Sequence, residues 1–386
     1  MRRVKPIFLH LGFWLLIILW ACDSKEAKKT NFTLDGTVQG AAGDSIFVEI
    51  VAAYQSLTDT FLIASARIDE NGYFSMKGTI RGLGRYQLRL GTKNPQILPI
   101  TPVPGDKIKI MAYKESFLKN PGLQGAAWAK TANQYFRMIT ELDPQKGQES
   151  LMAFIANEIR TNPTNPFHIV LTEHLTPPSE MDKLSTWDSQ NLNLLALVAG
   201  SYKTTYGSTP ATKGLVYKDS LSQQIYKGFQ QKVARNEAIE NGTLSAPDFI
   251  LMSITGEKFR LSEHRGKTIL LYFWGLEFPN GASDNQTLSE LQKKQNNQVE
   301  IVTISCDKNV SEWKKALVDY SFTGNWQLSD ANGSTNPGAV NGRSMLMQQY
   351  AIGSLPHSVL INANGKIIAE GLSGEALKNR MLSVIN

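Results

Sequence analysis

Cysteine is scarce in this sequence, in which Cys22 and Cys306 are the only two among 386 residues. No Cys-x-x-Cys pair occurs, because no cysteine lies between these two positions. Disulfide exchange by an attacking thiolate and a resolving thiol needs two neighbouring cysteines. The sequence therefore excludes two-cysteine exchange chemistry by this chain alone.

Metal-binding and nucleotide-binding patterns are also missing. The five histidines are scattered without a carboxylate pair at metal-ligand spacing, and His264 is predicted to lie in a surface loop. No P-loop, Gly-x-Gly-x-x-Gly or Gly-x-Ser-x-Gly segment occurs. We therefore expect no metal and no cofactor.

A strong excess of charge is absent as well. The formal net charge is +6, and the first 21 residues carry Arg2, Arg3 and Lys5 without an acidic residue, so removing them leaves +3. A balance this close to neutral on a chain of this length predicts no nucleic-acid partner.

The N-terminus has the composition of a targeting segment. Three basic residues precede an apolar run, which ends in Leu-Trp-Ala-Cys at residues 19–22. This ending resembles the lipobox of bacterial lipoproteins, which implies a signal peptide at residues 1–21, lipidation of Cys22 and a polar tether at residues 22–30. The lipobox predicts a lipid-anchored envelope protein, periplasm-facing or surface-exposed, on either membrane. An uncleaved signal-anchor helix, with Cys22 there by chance, is the alternative.

The next two regions differ in their hydrophobic periodicity. Residues 31–114 contain short alternating runs with polar turns, among them Asn71-Gly72, and predict an antiparallel β-sandwich. Their GTVQG, DENGYFSMKG and PGDKIKI segments resemble an uncharacterised β-domain of Bacteroidota lipoproteins. Residues 115–243 change to helical spacing and predict a helical connector.

The last region is organised around one apolar run. Residues 268–274, TILLYFW, predict a buried strand, and a turn and a helix-prone segment follow. This stretch resembles the Phe-Trp-x-x-x-Cys segment of the TlpA-like and ResA-like thiol–disulfide oxidoreductases, a redoxin family, through Phe273 and Trp274. The likeness continues through Ala-Pro-Asp-Phe at residues 246–249 and Ser-Leu-Pro at residues 354–356. The family implies an α/β thioredoxin fold for residues 244–386 and hence a multi-domain chain.

The resemblance also implies where a redox site would lie. Phe278 and Gly281 stand at the two cysteine positions of the family motif, with Pro279 and Asn280 between them. A thioredoxin-type thiolate forms at a helix N-terminus, which lowers its pKa. Because phenylalanine and glycine supply neither a nucleophile nor a resolving thiol, we expect no enzymatic exchange at these positions.

Cys306 has two readings. It follows the predicted strand at residues 299–305 and is a candidate peroxidatic or mixed-disulfide thiol. The alternative is a small buried apolar residue, which is how a free cysteine usually behaves.

Pro356 marks a candidate binding face. It stands where the family has a cis-proline, whose preceding residue pairs with an extended peptide, and a purely structural turn is the alternative. Together with Trp274, Phe278, Leu355 and His357 it forms the predicted peptide-binding face, although a tryptophan at position 274 is more often a core residue than a ligand contact.

Three functions are compatible with these features. The first is a non-catalytic binding or assembly module, with an envelope protein or an extended peptide as partner. The second is thiol–disulfide exchange or peroxide reduction through Cys306 alone or with a partner's thiols. The third is a surface structural or glycan-binding protein that uses the β-sandwich.

Overall fold

A computed structural model describes most of the chain. It covers residues 31–54, 57–141, 147–276, 284–294, 299–307, 309–319, 324–330 and 345–385. The predicted signal peptide, Cys22 and the tether lie outside these residues, as does the segment 278–281. Among the described residues, no helix combines the length and apolar character needed to cross a membrane. The chain divides into two compact units between Tyr226 and Lys227.

The N-terminal unit contains two four-stranded β-sheets. Its strands are β1 Phe32–Gln39, β2 Ser45–Tyr54, β3 Leu57–Arg67, β4 Tyr73–Gly78, β5 Tyr86–Leu90, β6 Gln96–Ile100, β7 Lys107–Tyr113 and β8 Leu123–Gln124. The first sheet has the order β4-β1-β7-β8 and the second β3-β2-β5-β6. The predicted N-terminal β-sheet domain is confirmed. Its described pairings are antiparallel except that of β1 with β7, which is parallel.

Alternation in the sequence sets which side chains face inward. In β7, Ile108, Ile110 and Ala112 are buried while the residues between them are exposed. The turn before β4 follows its sequence signal, because Gly72 has a φ of 80° and the Asp69 carboxylate accepts a hydrogen bond from the Tyr73 amide at 2.8 Å. Burial of every second residue, together with a glycine turn, therefore fixes the register of these strands.

Helices follow the two sheets and share their core. They are α1 Ala129–Glu141, α2 Gly147–Thr161, α3 His168–Leu171, α4 Met181–Ser185, α5 Gln190–Tyr206 and α6 Pro210–Glu240. Trp128, Phe136 and Phe167 belong to the same buried cluster as Leu34 and Leu88 of the strands. The helical region is thus confirmed. Helices α1, α2, α3 and α5 and the start of α6 share one hydrophobic core with the sheets.

The C-terminal unit is built on a seven-stranded mixed sheet of order β10-β9-β13-β12-β11-β14-β15. Its strands are β9 Ile250–Ser253, β10 Lys258–Arg260, β11 Thr268–Trp274, β12 Val299–Ser305, β13 Trp326–Ser329, β14 His357–Ile361 and β15 Ile367–Glu370. Its helices after α6 are α7 Asn285–Lys294, α8 Val310–Asp319, α9 Met345–Gln349 and α10 Gly374–Ile385. Strands and helices alternate as the α/β prediction requires, so that prediction is confirmed.

Alternate residues of the central strand face two separate hydrophobic cores. Leu271 and Phe273 of β11 lie in one, and Leu270, Tyr272 and Trp274 lie in the other. Every residue of β11 after Thr268 is buried, which explains why the strand reads as a continuous apolar run instead of alternating.

Candidate functional site

Three predicted site residues meet at one edge of the seven-stranded sheet. Strands β11 and β12 run parallel, and β14 runs antiparallel to β11 with His357 opposite Phe273. The ends of β11 and β12 therefore lie beside the start of β14. The Cys306 amide donates to the Trp274 carbonyl at 2.8 Å, which ties the first two strand ends together. The carboxyl ends of parallel strands are where α/β proteins place their sites.

The predicted redox positions 278–281 lie outside the described residues, but both of their flanks are held in place. On one side the Leu276 amide donates to Oδ1 of Asp307 at 2.7 Å. On the other side Asp284, directly before α7, is buried. Its carboxylate accepts from the Tyr272 hydroxyl at 3.1 Å and from the Gly374 amide at 2.7 Å. The strand and helix that bracket the segment are thus joined by buried hydrogen bonds.

Cys306 lies at this edge as a free, partly buried thiol. Burial raises the pKa of the thiol well above its ordinary value, and the neighbouring carboxylates of Asp330 and Asp307 raise it further. A low thiol pKa needs a nearby positive charge or a helix N-terminus. The surroundings of Cys306 do the opposite and favour the protonated thiol.

Two buried carboxylates surround that thiol. Asp307 and Asp330 are each only 4% exposed. Oδ2 of Asp307 accepts from the Ser305 hydroxyl at 2.9 Å, and the Asp330 amide donates to the Ser305 carbonyl at 2.8 Å. Sequence reasoning missed both residues. The available signal was that each aspartate follows the carboxyl end of a strand, β12 and β13, and these strands are parallel neighbours.

The peptide bond between Leu355 and Pro356 is cis, as predicted. The described residues offer no hydrogen-bond partner to the amide or the carbonyl of Leu355. Its side chain is buried and belongs to the core next to Phe273. The backbone before the proline therefore has no partner among the described residues, while the leucine side chain is packed in the core.

The other members of the predicted binding face differ in exposure. Trp274 is fully buried in the core that α7 covers, so its indole is a core group and its backbone alone lies at the edge. Pro356 and His357 are partly exposed. Phe278 lies outside the described residues. Binding at this face stays a prediction.

His357 lies at this edge, at the start of β14. Burial lowers its pKa, the charge of Glu370 opposes that shift, and the charge of Arg235 adds to it. Arg235 is bound to Glu370 by three hydrogen bonds of 2.8 to 3.0 Å and donates a further one to the Tyr350 carbonyl at 3.1 Å. Glu370, whose charge raises the pKa of His357, is therefore itself paired with arginine.

No metal site accompanies these groups in the described part of the chain, which contains no cluster of three or more histidine, cysteine or acidic side chains that could hold an ion. Of the remaining sequence predictions, the surface position of His264 is wrong. Its Nδ1 lies 2.6 Å from Glu300, and its ring stacks on Phe259 at 4.3 Å between centroids. That partner lies 36 residues away, so local polarity could not indicate it.

Known proteins resemble this unit. A thioredoxin-like family profile matches residues 266–367. The thiol-disulfide oxidoreductase ResA of Geobacillus kaustophilus is 30% identical over 156 residues, which are 40% of this chain and 79% of that protein. ResA of Bacillus subtilis is 29% identical over 161 residues, which are 40% of this chain and 78% of that protein.

Solved structures give a similar alignment. A thiol-disulfide oxidoreductase from Bacteroides fragilis is 31% identical and matches 36% of this chain and 98% of its own, with a TM-score of 0.31. The residues that the family profile matches include Trp274, Cys306 and Pro356. Through this C-terminal unit, the chain belongs to the ResA-like family of thioredoxin-fold thiol-disulfide oxidoreductases.

Proposed function

We propose that this chain is a non-catalytic member of its family, whose thioredoxin-like domain binds an extended polypeptide instead of exchanging disulfides. The observation that carries the proposal is the state of its thiols. Apart from Cys22, the sequence has one cysteine, and the pKa of Cys306 is raised by burial and by two carboxylates. The relatives are named for an exchange reaction that requires a thiolate and a resolving thiol.

Insulin reduction tests the loss of exchange activity. We expect the purified full chain, supplied with dithiothreitol, to precipitate insulin no faster than dithiothreitol alone. Turnover above that background which disappears in Cys306→Ser would overturn the proposal and establish the single-thiol enzyme. Peroxide consumption under the same conditions tests the peroxidatic alternative in the same pair of proteins.

Restoring the cysteine pair tests whether the structure around positions 278–281 can still support disulfide exchange. The double substitution Phe278→Cys and Gly281→Cys places two thiols at the family's motif positions, between anchors at Leu276 and Asp284. We expect it to gain insulin reduction, with Phe278→Ser and Gly281→Ser as the matched control. A redox-active disulfide that forms without any turnover would indicate that the surrounding site has also changed.

The binding half of the proposal is supported by the backbone of Leu355. An extended peptide can add hydrogen bonds to an unpaired amide and carbonyl, as in strand addition. Because a cis-proline follows, Leu355 is the last residue before β14 that offers an amide for such pairing. The neighbouring Pro356 and His357 are partly exposed and would contact the side chains of the peptide.

Hydrogen exchange tests that pairing directly. The Leu355 amide, which has no partner in the described chain, is expected to exchange quickly in the free protein and slowly after addition of alkylated insulin B chain. Protection confined to other segments, or no protection at millimolar peptide, would contradict binding at this face. The amides of β9 to β11 are the internal control, and their protection from exchange should not change.

We also propose that the protein is attached to the cell envelope through lipid on Cys22. Leu-Trp-Ala-Cys at residues 19–22 after a basic and apolar leader supports this. Metabolic labelling with an alkynyl fatty acid should mark the wild-type chain and not Cys22→Ser. Equal labelling of both proteins would contradict attachment at Cys22.

A further inference from the structure

The outer face of the first sheet of the N-terminal unit is exposed to solvent. Along β4 and β7 every second residue points outward and is exposed, and the residues between them are buried. The pattern of β1 agrees, with Thr33, Asp35 and Thr37 partly exposed on the same side. This face belongs to a different unit from the thioredoxin-like site.

The exposed side chains of this face are sorted by type along the strands. At one end lie Tyr73, Met111 and Tyr113, which are 46%, 58% and 67% exposed. At the other end lie Lys77 and Lys107, which face each other across Thr33 of the central strand β1, and Lys109 lies one row further along. We call these six residues the Tyr–Lys face.

The pairing register gives the size of the Tyr–Lys face. Tyr73 and Met111 both lie beside Thr37, on strands two apart, so about 10 Å separates their backbones. Tyr113 lies four residues from Lys109 on β7, which is about 14 Å. The face is thus long enough for several linked rings and has aromatic groups at one end and cations at the other.

The exposed charge of the Tyr–Lys face is positive. It presents three lysines, and the acidic side chain among them, Asp35, accepts a hydrogen bond from the Ser75 hydroxyl at 2.6 Å. A surface of this kind attracts anions. A group of large exposed apolar side chains next to polar residues is typical of a binding surface.

The chemistry of the Tyr–Lys face favours a sugar over a peptide. The backbone of its middle strand β1 is paired on both sides, so a peptide strand cannot add to it there. The ligand must be recognised by side chains alone. Tyrosine offers a flat apolar ring with a hydroxyl, which suits a pyranose ring, and lysine pairs with carboxylate or sulfate groups.

We propose that the Tyr–Lys face binds an acidic polysaccharide, with tyrosine contacts to the sugar rings and lysine contacts to their acidic substituents. This goes beyond the function proposed above, because it concerns the other unit and does not depend on Cys306 or Pro356. It assigns a ligand class and a set of residues to the β-domain.

Affinity electrophoresis of the purified full chain tests the proposal. The probes are polygalacturonate and its fully methyl-esterified form, which shares the backbone and lacks the charge. We expect retardation by polygalacturonate, a loss of affinity of about tenfold in Tyr113→Ser, and a weaker salt dependence in the double variant Lys107→Gln, Lys109→Gln. Phe61→Ser and Lys93→Gln, exposed on other parts of the same unit, are the matched controls.

The possible outcomes separate the candidate ligands. Retardation that Tyr113→Ser and the lysine variant reduce, and the two controls do not, supports the proposal. Absence of retardation by polygalacturonate and by a sulfated polysaccharide overturns it. Equal binding to polyglutamate, or binding to phosphatidylglycerol vesicles alone, also overturns it in favour of an acidic protein or a membrane surface. Circular dichroism of each variant verifies that the fold is retained.

Discussion

The two ends of strand β12 bury acidic side chains in opposite ways. Near its start, the carboxylate of Glu300 pairs with Nζ of Lys267 through Oε1 and lies 2.6 Å from Nδ1 of His264 through Oε2. Just after its end, the carboxylate of Asp307 accepts hydrogen bonds from the Leu276 amide and the Ser305 hydroxyl, which are uncharged donors. Cys306 lies beside this second carboxylate.

A buried carboxylate therefore serves two different purposes in this sheet. A carboxylate paired with a lysine is a structural connection, because its charge is compensated where it is buried. A carboxylate held by neutral donors keeps its negative field, and that field acts on its neighbours. At the Cys306 end the field opposes formation of a thiolate, which is why we interpret this edge as a site for binding rather than for redox chemistry.

The largest expected effect comes from removing the paired carboxylate near the start of β12. Glu300→Gln removes the charge that Lys267 and His264 share, and we expect it to lower the free energy of unfolding of this unit by about 1–3 kcal/mol. Native-state hydrogen exchange of the β11 and β12 amides measures this unit apart from the other. Glu263→Gln, at a side chain 67% exposed, is the control and should change that free energy by less than about 0.5 kcal/mol. An unchanged exchange rate in Glu300→Gln would show that the pairing is not structural.

An intermediate effect is expected from neutralising the two carboxylates near Cys306. Asp307→Asn together with Asp330→Asn removes both carboxylates that raise the pKa of Cys306. We expect iodoacetamide to alkylate the thiol about threefold to tenfold faster at pH 8, where one decade corresponds to 1.4 kcal/mol. Because burial is the largest cause of the raised pKa, the thiol should still react more slowly than an exposed cysteine.

The exposed Asp319→Asn on α8 is the control for that substitution. Equal alkylation rates in the double variant and the wild type would mean that burial alone protects Cys306. The comparison between the two ends of β12 would then lose its electrostatic basis.

The smallest effect concerns pH and His357. Burial lowers the pKa of this histidine, so the unfolded chain binds a proton at a higher pH than the folded one. Its contribution to stability is therefore complete above the unfolded pKa of about 6.5 and is lost as the pH falls below that value. We expect the stability of the unit to decline slightly between pH 7.5 and 5.5, and less so in His357→Gln. An identical decline in both proteins would assign the pH dependence to other groups.

Features encoded within a few neighbouring residues could be predicted from the sequence. The continuous apolar run of β11 predicted a buried strand, and Asn71-Gly72 predicted the turn before β4. The hairpin expected at that turn was wrong, because β3 and β4 belong to different sheets. The cis bond at Pro356 was predicted from the family resemblance, and the structure confirms it. In each case the information lies in one segment or in one family motif.

Features that depend on distant partners could not be predicted. His264 was expected in a surface loop, but it is only partly exposed and contacts Glu300 and Phe259 of separate strands. Aspartate is a residue type that often precedes a helix, as Asp284 does. Only the fold brings Tyr272 and Gly374 to its carboxylate. Sequence periodicity reports which face of an element is apolar, not which polar group from another element lies opposite.

The parallel pairing of β1 with β7 has a mechanical consequence. The first strand of the described residues, β1, is an inner strand of its sheet, bonded to β4 on one side and β7 on the other. A pull on the chain from the residues before β1 acts along this strand, so it loads the backbone hydrogen bonds of two strand pairs in shear at once. A force applied where the predicted anchor attaches is therefore resisted by many bonds together, rather than opening them one after another.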